Sequence, residues 1–257
     1  MSISLGLSLA LSLGLTRSLL LASLRMVLQL SLLGLILNGI FTRQSPWEVL
    51  GLALLMTLAA GWTAVSRVKH PYRGLYRDGL LAIALSSWLM TATMLTVVQQ
   101  PQPWFLPQLL IPTLGMILGN GLSGMALALD RFLEQLQLQR EQIEGALLLG
   151  ATRWEATRAL FRDCLRTGLM PTTNAMLAAG LVSLPGMMTG QILGGADPQQ
   201  AARYQMVIFF LILSSTALGT GGLLWLAWRQ LLPPERLALE RLHQPALRQR
   251  RAKRGKP

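Results

Sequence analysis

TGLMPTTNAMLAAGLVSLPGMMTGQILGGA, residues 167–196, contains no Asp, Glu, Lys or Arg. A helix that crosses the hydrocarbon core of a bilayer needs about 20 apolar residues. Two further charge-free runs, 79–129 and 204–228, are also long enough. The chain has 257 residues, 52% of them hydrophobic and 13% charged, with a mean hydropathy of +0.45. Soluble domains carry about 25% charged residues. A transmembrane β-barrel is excluded, because its strands read as short segments of alternating hydropathy. The chain is therefore expected to be an all-α, polytopic membrane protein.

The same stretch holds features that a plain membrane helix does not need. Pro185 removes a backbone donor. Gly186, Gly190 and Gly194 fall at i, i+4 and i+8, and on a helix they form one smooth face that admits close approach of a neighbour. Two readings stay open. One is a kinked helix packed on a neighbouring span or a second subunit. The other is a pliable gate or cavity wall, since transporters place broken helices at their binding sites. The candidate gate and pathway residues are Asn174, Pro185, Gly186, Met187, Met188, Thr189, Gly190, Gln191 and Gly194. Thioethers of Met187 and Met188 are soft metal ligands, but methionine more commonly fills gaps between helices, and no metal site is assigned. Asn174, Gln191 and Asn120 more often bond a neighbouring helix than a substrate.

Working outward, the apolar segments are Ser2–Leu15, Met26–Phe41, Trp47–Val65, Gly79–Val98, Phe105–Leu129, Thr167–Gly195 and Tyr204–Trp228. That makes seven transmembrane helices, or six if the short first segment lies in the interface. The division is a transmembrane domain over 1–228, with a polar loop at 130–166, and a basic tail over 229–257. Basic residues concentrate in the links at 66–77 and 130–166 and in the tail, which places these and the C-terminus in the cytoplasm. Nine of the 23 basic residues lie between Arg229 and Lys256. The net charge of +12 is thus read as an anchor facing anionic lipid. It is not read as a nucleic-acid surface, because no aromatics are interleaved to stack on bases. Cys164 is the only cysteine, which rules out an internal disulfide. The N-terminus has no basic region or cleavage signature of a signal peptide. His70 and His243 have no nearby set of metal-ligating side chains.

DRFLEQLQLQREQIEGALLLGATRWEATRALFRDCLR, residues 130–166, is the most informative polar element. Phe132, Leu136, Ile143 and Leu147 recur at helical spacing. Gly150 is a stop. Thr152 with Glu155 three residues on is a capping box that starts a second helix, in which Ala156, Leu160 and Cys164 share a face. A helix-turn-helix beside the membrane is either a connector or a docking element for a cytoplasmic partner.

Its centre, EGALLLGATRWEA (144–156), resembles the coupling loop of ABC-transporter permeases. There a glutamate, small residues and a glycine six positions on fit a short helix into the ATPase subunit. The resemblance assigns ATPase coupling to Glu144, Gly145, Ala146, Gly150, Ala151 and Thr152. Gly145 stands where many permeases have alanine. The leucine-proline pair common in importers is missing at its usual spacing, the next proline being Pro171. More specifically, LRMVLQLSLLG (24–34), LIPTLGMILGNGLSG (110–124), LLLGATRWEA (147–156) and GLVSLPGMMTGQILGGADPQQAARYQ (180–205) resemble the FetB-type permeases. That family is implicated in iron export, and its plant relatives in aluminium tolerance. The resemblance implies a permease subunit that exports iron, another metal or a metal complex. It implies a homodimer in a bacterial inner (plasma) membrane.

The chain has no G-x-x-x-x-G-K-[ST] motif, so ATP is expected on a separate cytoplasmic ABC ATPase, with no cofactor in this chain. The rivals are a stand-alone secondary transporter and a non-transporting membrane scaffold or assembly factor. The first usually keeps ionisable groups inside its spans, and the last four segments have none between their interfacial ends. No hydrolase or zinc-protease motif points to an enzyme.

Overall fold

A computed structural model describes residues 16–66, 68, 71, 72 and 74–232. The expectations made for Ser2–Leu15, for Arg67, Lys69, His70 and Arg73, and for the tail beyond Leu232 with His243 lie outside the described residues. Within them the regular structure is helical: α1 Thr16–Arg43, α2 Pro46–Ser66, α3 Leu75–Thr93, α4 Pro107–Leu138, α5 Arg140–Leu148, α6 Arg153–Ala178, α7 Gly186–Leu193 and α8 Pro198–Leu231. A π-helical turn, Met94–Gln99, extends α3. Among the described residues, five helical stretches are long and apolar enough to cross a membrane: Leu19–Arg43, Pro46–Ser66, Leu75–Gln99, Pro107–Leu138 and Pro198–Leu231. The chain is an integral membrane protein.

The chain divides into two compact units, 1–50 and 51–257. In the first, α1 begins ten residues before the apolar segment read from sequence, and Arg17 and Arg25 lie inside it. Arginine interrupts hydropathy but is a good helix former in a leucine-rich context. After α1, Gln44 takes a left-handed backbone (φ 50°), and Arg43 pairs with Glu48 at 3.2 Å.

In the second unit, α2 and α3 approach closely at glycines. A Cβ on Gly61 would lie 2.9 Å from Leu80 Cδ1, and one on Gly79 would lie 2.7 Å from Val65 Cγ2. The Trp88 indole N–H donates to Thr57 Oγ1 at 3.1 Å. The tightest crossing joins α4, α6 and α8. A Cβ on Gly124 would meet the Gly168 carbonyl oxygen at 2.5 Å and Thr216 Cγ2 at 2.6 Å. A Cβ on Gly168 would meet Ala128 Cβ, the Gly124 oxygen and Thr220 Cγ2, each at 2.9 Å. Thr57, Thr157 and Thr216 bond their own i−4 carbonyls, so their hydroxyls are satisfied without water. At about 1.5 Å per residue, α4 and α8 are roughly 50 Å long and overshoot a core of about 30 Å. The residues from Asp130 to Leu138, read as the start of the polar loop, therefore continue the helix of the preceding span.

The opening segment departs from its expectation as one continuous span. α6 ends at Ala178 and α7 starts at Gly186. Between them Gly180 adopts φ +83°, its N–H donates to Ser183 O at 2.9 Å, and the Ser183 N–H donates to Ala178 O at 3.1 Å. This tight turn suits glycine because a side chain is strained at that φ. Pro185 does not kink a helix; it caps the start of the next one, with ψ 142°.

Candidate functional site

The loop corner is built by two local signals that the sequence carries. At the end of α5, Gly150 has φ +92°. Its N–H donates to Leu147 O at 3.1 Å, and the Ala151 N–H donates to Ala146 O, also at 3.1 Å. This pair of bonds closes a helix on a left-handed residue. Two residues on, the Thr152 N–H donates to Glu155 Oε2 at 2.8 Å, the Thr152 hydroxyl donates to the same oxygen at 2.7 Å, and the Glu155 N–H donates back to Thr152 Oγ1. The capping box is therefore formed. Hydrogen bonds from Thr152 hold the Glu155 carboxyl below its ordinary value.

One corner thus gathers Glu144, Gly145, Ala146, Gly150, Ala151 and Thr152. Glu144 is half-buried and pairs with Arg140 Nε at 2.7 Å. Ile143 alone on α5 is buried. The tip is apolar and open: Leu148 is 88% exposed and Leu149 is 91% exposed. Such a pair forms a small exposed apolar patch at a helix corner outside the apolar spans.

α6 has two unlike faces. Thr157, Leu160, Cys164, Gly168 and Thr172 are buried, and Gly168 sits at the crossing with α4 and α8. The opposite side lines an open groove of about 660 Å³ that holds Arg162, Asp163, Arg166, Met170, Thr173 and Asn174. Asn174 was singled out from sequence; Arg162 and Arg166 were not. Their signal was the spacing 162, 166, 173, which carries polar residues, with Met170 between them, from the basic loop into a charge-free segment. The Thr173 hydroxyl bonds its own helix at Leu169 O.

The second group of candidates lies past the break. Pro185, Met188 and Thr189 are half-buried, while Gly186, Gly190 and Gly194 are exposed. A Cβ on Gly186 or Gly190 would meet nothing within 4 Å, and one on Gly194 would meet only the carbonyl oxygens of Gly190 and Gln191. Leu181 and Val182 in the break are 91% and 85% exposed. Met187 packs against the cluster of Met94, Ile117, Ile208, Leu211 and Ile212, beside Met90, Met116 and Tyr204. That is the setting of a gap-filling side chain. Gln191 Oε1 is buried without a hydrogen-bond partner among the described residues. Asn120 bonds its own helix at Met116 O, 2.8 Å. No cluster of three His, Cys, Asp or Glu side chains occurs among the described residues.

Comparison with known proteins gives a consistent picture. The family model described as "Uncharacterised protein family (UPF0014)" matches residues 1–232. A UPF0014 membrane protein of Synechocystis sp. is 39% identical over 206 residues, covering 80% of each chain. The "Probable iron export permease protein FetB" of Escherichia coli is 32% identical over 206 residues, covering 80% of this chain and 78% of its own. "Protein ALUMINUM SENSITIVE 3" of Arabidopsis thaliana is 33% identical over 204 residues, covering 79% and 73%. No solved structure matches the chain.

Proposed function

This chain belongs to the UPF0014 family of membrane proteins, and on that premise we propose that it is the permease subunit of an ABC transporter. It works as a homodimer, exports iron or another metal, alone or as a complex, and is driven by a separate ATPase subunit on the cytoplasmic side. The observation that carries the reading is the corner at Gly150, where an apolar tip of Leu148 and Leu149 stands open between two helices that are rigidly capped toward each other. ATPase subunits are soluble proteins that must grip a membrane partner through such a projection. An exposed leucine pair supplies the buried centre of the contact, and Glu144 and Arg140 supply its polar rim. The family resemblance to a probable iron export permease supports both cargo class and direction.

The pathway runs along the open face of α6 and past the break. Lipid offers no partner for the groove's Arg162, Arg166 and Asn174, so this face lines water between two copies. The break at 179–185 lets α7 move relative to α6, and the unobstructed Gly186 and Gly190 admit the second copy. Cycles of ATP binding in the partner push the corner and open this path alternately to each side.

The test is purification of the tagged chain in mild detergent. An ABC ATPase is expected to accompany it and to be lost with Glu144→Arg. Gly150→Pro is expected to abolish stimulated ATP hydrolysis. Gly190→Leu is expected to leave docking intact and stop transport. Absence of any ATPase under all conditions overturns the permease reading; normal hydrolysis with Gly150→Pro moves the docking site elsewhere.

A further inference from the structure

The two arms of the corner are held very differently. On the α5 side only Ile143 is buried. On the α6 side, the first two turns are bound to the end of α8 by hydrogen bonds, a cation–π contact and ring-edge contacts. The Arg153 guanidinium donates to the Leu232 carbonyl and lies over the Trp228 ring, 5.4 Å from its centroid. The Trp228 indole N–H donates to Thr157 Oγ1 at 2.9 Å in a buried setting. Trp154 sets its edge against Trp225 and Trp228, with centroids 6.2 and 6.0 Å away. Trp225 and Trp228 stack on each other at 5.0 Å.

The chain of contacts continues past α8. Gln230 Nε2 donates to Asp78 Oδ2 at 2.6 Å, and the Tyr72 hydroxyl donates to the same oxygen at 3.0 Å. Asp78 lies in the first turn of α3 and is only 1% exposed. Beside it Gly74, at φ +90°, leaves room for the Gln230 amide, which a Cβ there would touch at 3.5 Å. Burial, reinforced by the neighbouring Asp78, holds the Tyr72 hydroxyl well above its ordinary pKa, so it stays a donor. A buried carboxylate with two donors cannot release either one cheaply.

We propose that the corner is a one-sided lever. A displacement applied at Leu148–Gly150 passes through Arg153, Trp154 and Thr157 into α8, and through Gln230 and Asp78 into α3. The ends of α6, α8 and α3 then move as one body with the packed α4, while the loosely held α5 yields at the helix junction around Gln139. Thr157, Trp228, Gln230 and Asp78 are positioning residues: they touch neither partner nor cargo, and they choose which spans receive the stroke. The proposal rests on the permease reading, because it needs a partner that pushes the corner.

The test is distance measurement between paired spin labels on the full chain, co-purified with its ATPase, before and after ATP with vanadate. Cys164 is fully buried, so the native chain is a quiet background for labelling. Labels at Arg158→Cys and Arg229→Cys report the α6–α8 body. Labels at Arg158→Cys and Glu141→Cys, both exposed, report α6 against α5. The first distance is expected to hold and the second to change. Thr157→Val, which removes the acceptor of the Trp228 N–H at nearly constant volume, is expected to keep the ATPase bound but let the first distance change. It is also expected to lower transport of iron per ATP by about tenfold, the scale set by one unmade buried hydrogen bond. Thr157→Ser restores both. A first distance that changes as much as the second in the parent chain overturns the lever, even with the ATPase bound. So does a Thr157→Val chain that behaves like the parent. If no ATPase accompanies the parent chain, the permease reading and the lever fall together.

Discussion

Two sets of glycines in this chain look alike in sequence and behave in opposite ways. Gly124, Gly168 and Gly219 are spent inside the molecule. A Cβ on any of them would lie within 3 Å of another helix: backbone oxygen for Gly124 and Gly168, the Met125 side chain and Ser86 Oγ for Gly219. Gly186 and Gly190 face open space, and Gly194 touches only its own helix. Small-residue spacing marks where backbones approach closely in membranes, but it does not say whether the approaching backbone belongs to the same chain. The first set holds α4, α6 and α8 together. The second borders a break whose side chains are nearly all exposed.

The contrast can be broken by substitution, and the largest effect falls on the packed set. Gly168→Leu is expected to prevent recovery of monodisperse protein in size-exclusion chromatography, since a leucine cannot fit between α4 and α8. Gly124→Ala meets a backbone oxygen that cannot rotate away, and should cost about 1–3 kcal/mol, read as a lower melting temperature in detergent. Gly219→Ala meets mainly the terminal methyl of Met125, which can turn aside, and should cost about 1 kcal/mol. Gly190→Ala should leave the melting temperature unchanged or raise it slightly, because alanine is favoured over glycine by about 0.5–1 kcal/mol inside a helix. Melting that drops as far as with Gly124→Ala would mean that the open set is packed within the chain after all.

The smallest effect concerns the corner. Glu155 is held below its ordinary pKa by Thr152. Its contribution to stability is therefore present above the ordinary carboxylate range and is lost as pH falls through the depressed value. The difference in melting temperature between the parent and Glu155→Gln should shrink as pH falls through that range. A difference that does not change with pH would show that the carboxylate adds nothing to the cap.

Much of this was legible in the residues. The charge-free runs 79–129 and 204–228 announced membrane helices, because the bilayer imposes length and composition together; the run 167–196 did not, since it is broken between Ala178 and Gly186. Gly150 and the Thr152–Glu155 pair announced the corner, because those bonds form between near neighbours in the chain. Other features were not legible for the same physical reason. The stretch around Pro185 was read as either a kinked packed helix or a pliable gate, yet the break at 179–185 depends on Gly180 and Ser183 closing a turn, and neither residue type is rare in membrane helices. The contacts of Arg153, Thr157, Trp228, Gln230 and Asp78 join positions up to 152 residues apart, and no local pattern encodes them. Arg162 and Arg166 looked like ordinary flanking charges until the buried face of α6 showed which way they point.

The break has one more consequence, and it is electrical. α7 begins without a side-chain cap, and its first internal bond is the Thr189 N–H to Pro185 O at 2.9 Å. The N–H groups of Gly186, Met187 and Met188 come before that bond. An uncapped helix start carries roughly half a positive charge. The stretch 167–196 has no ionisable acid or base, so this half-charge is fixed by the backbone itself. No change of pH can titrate it, and no side-chain substitution short of mending the helix can remove it.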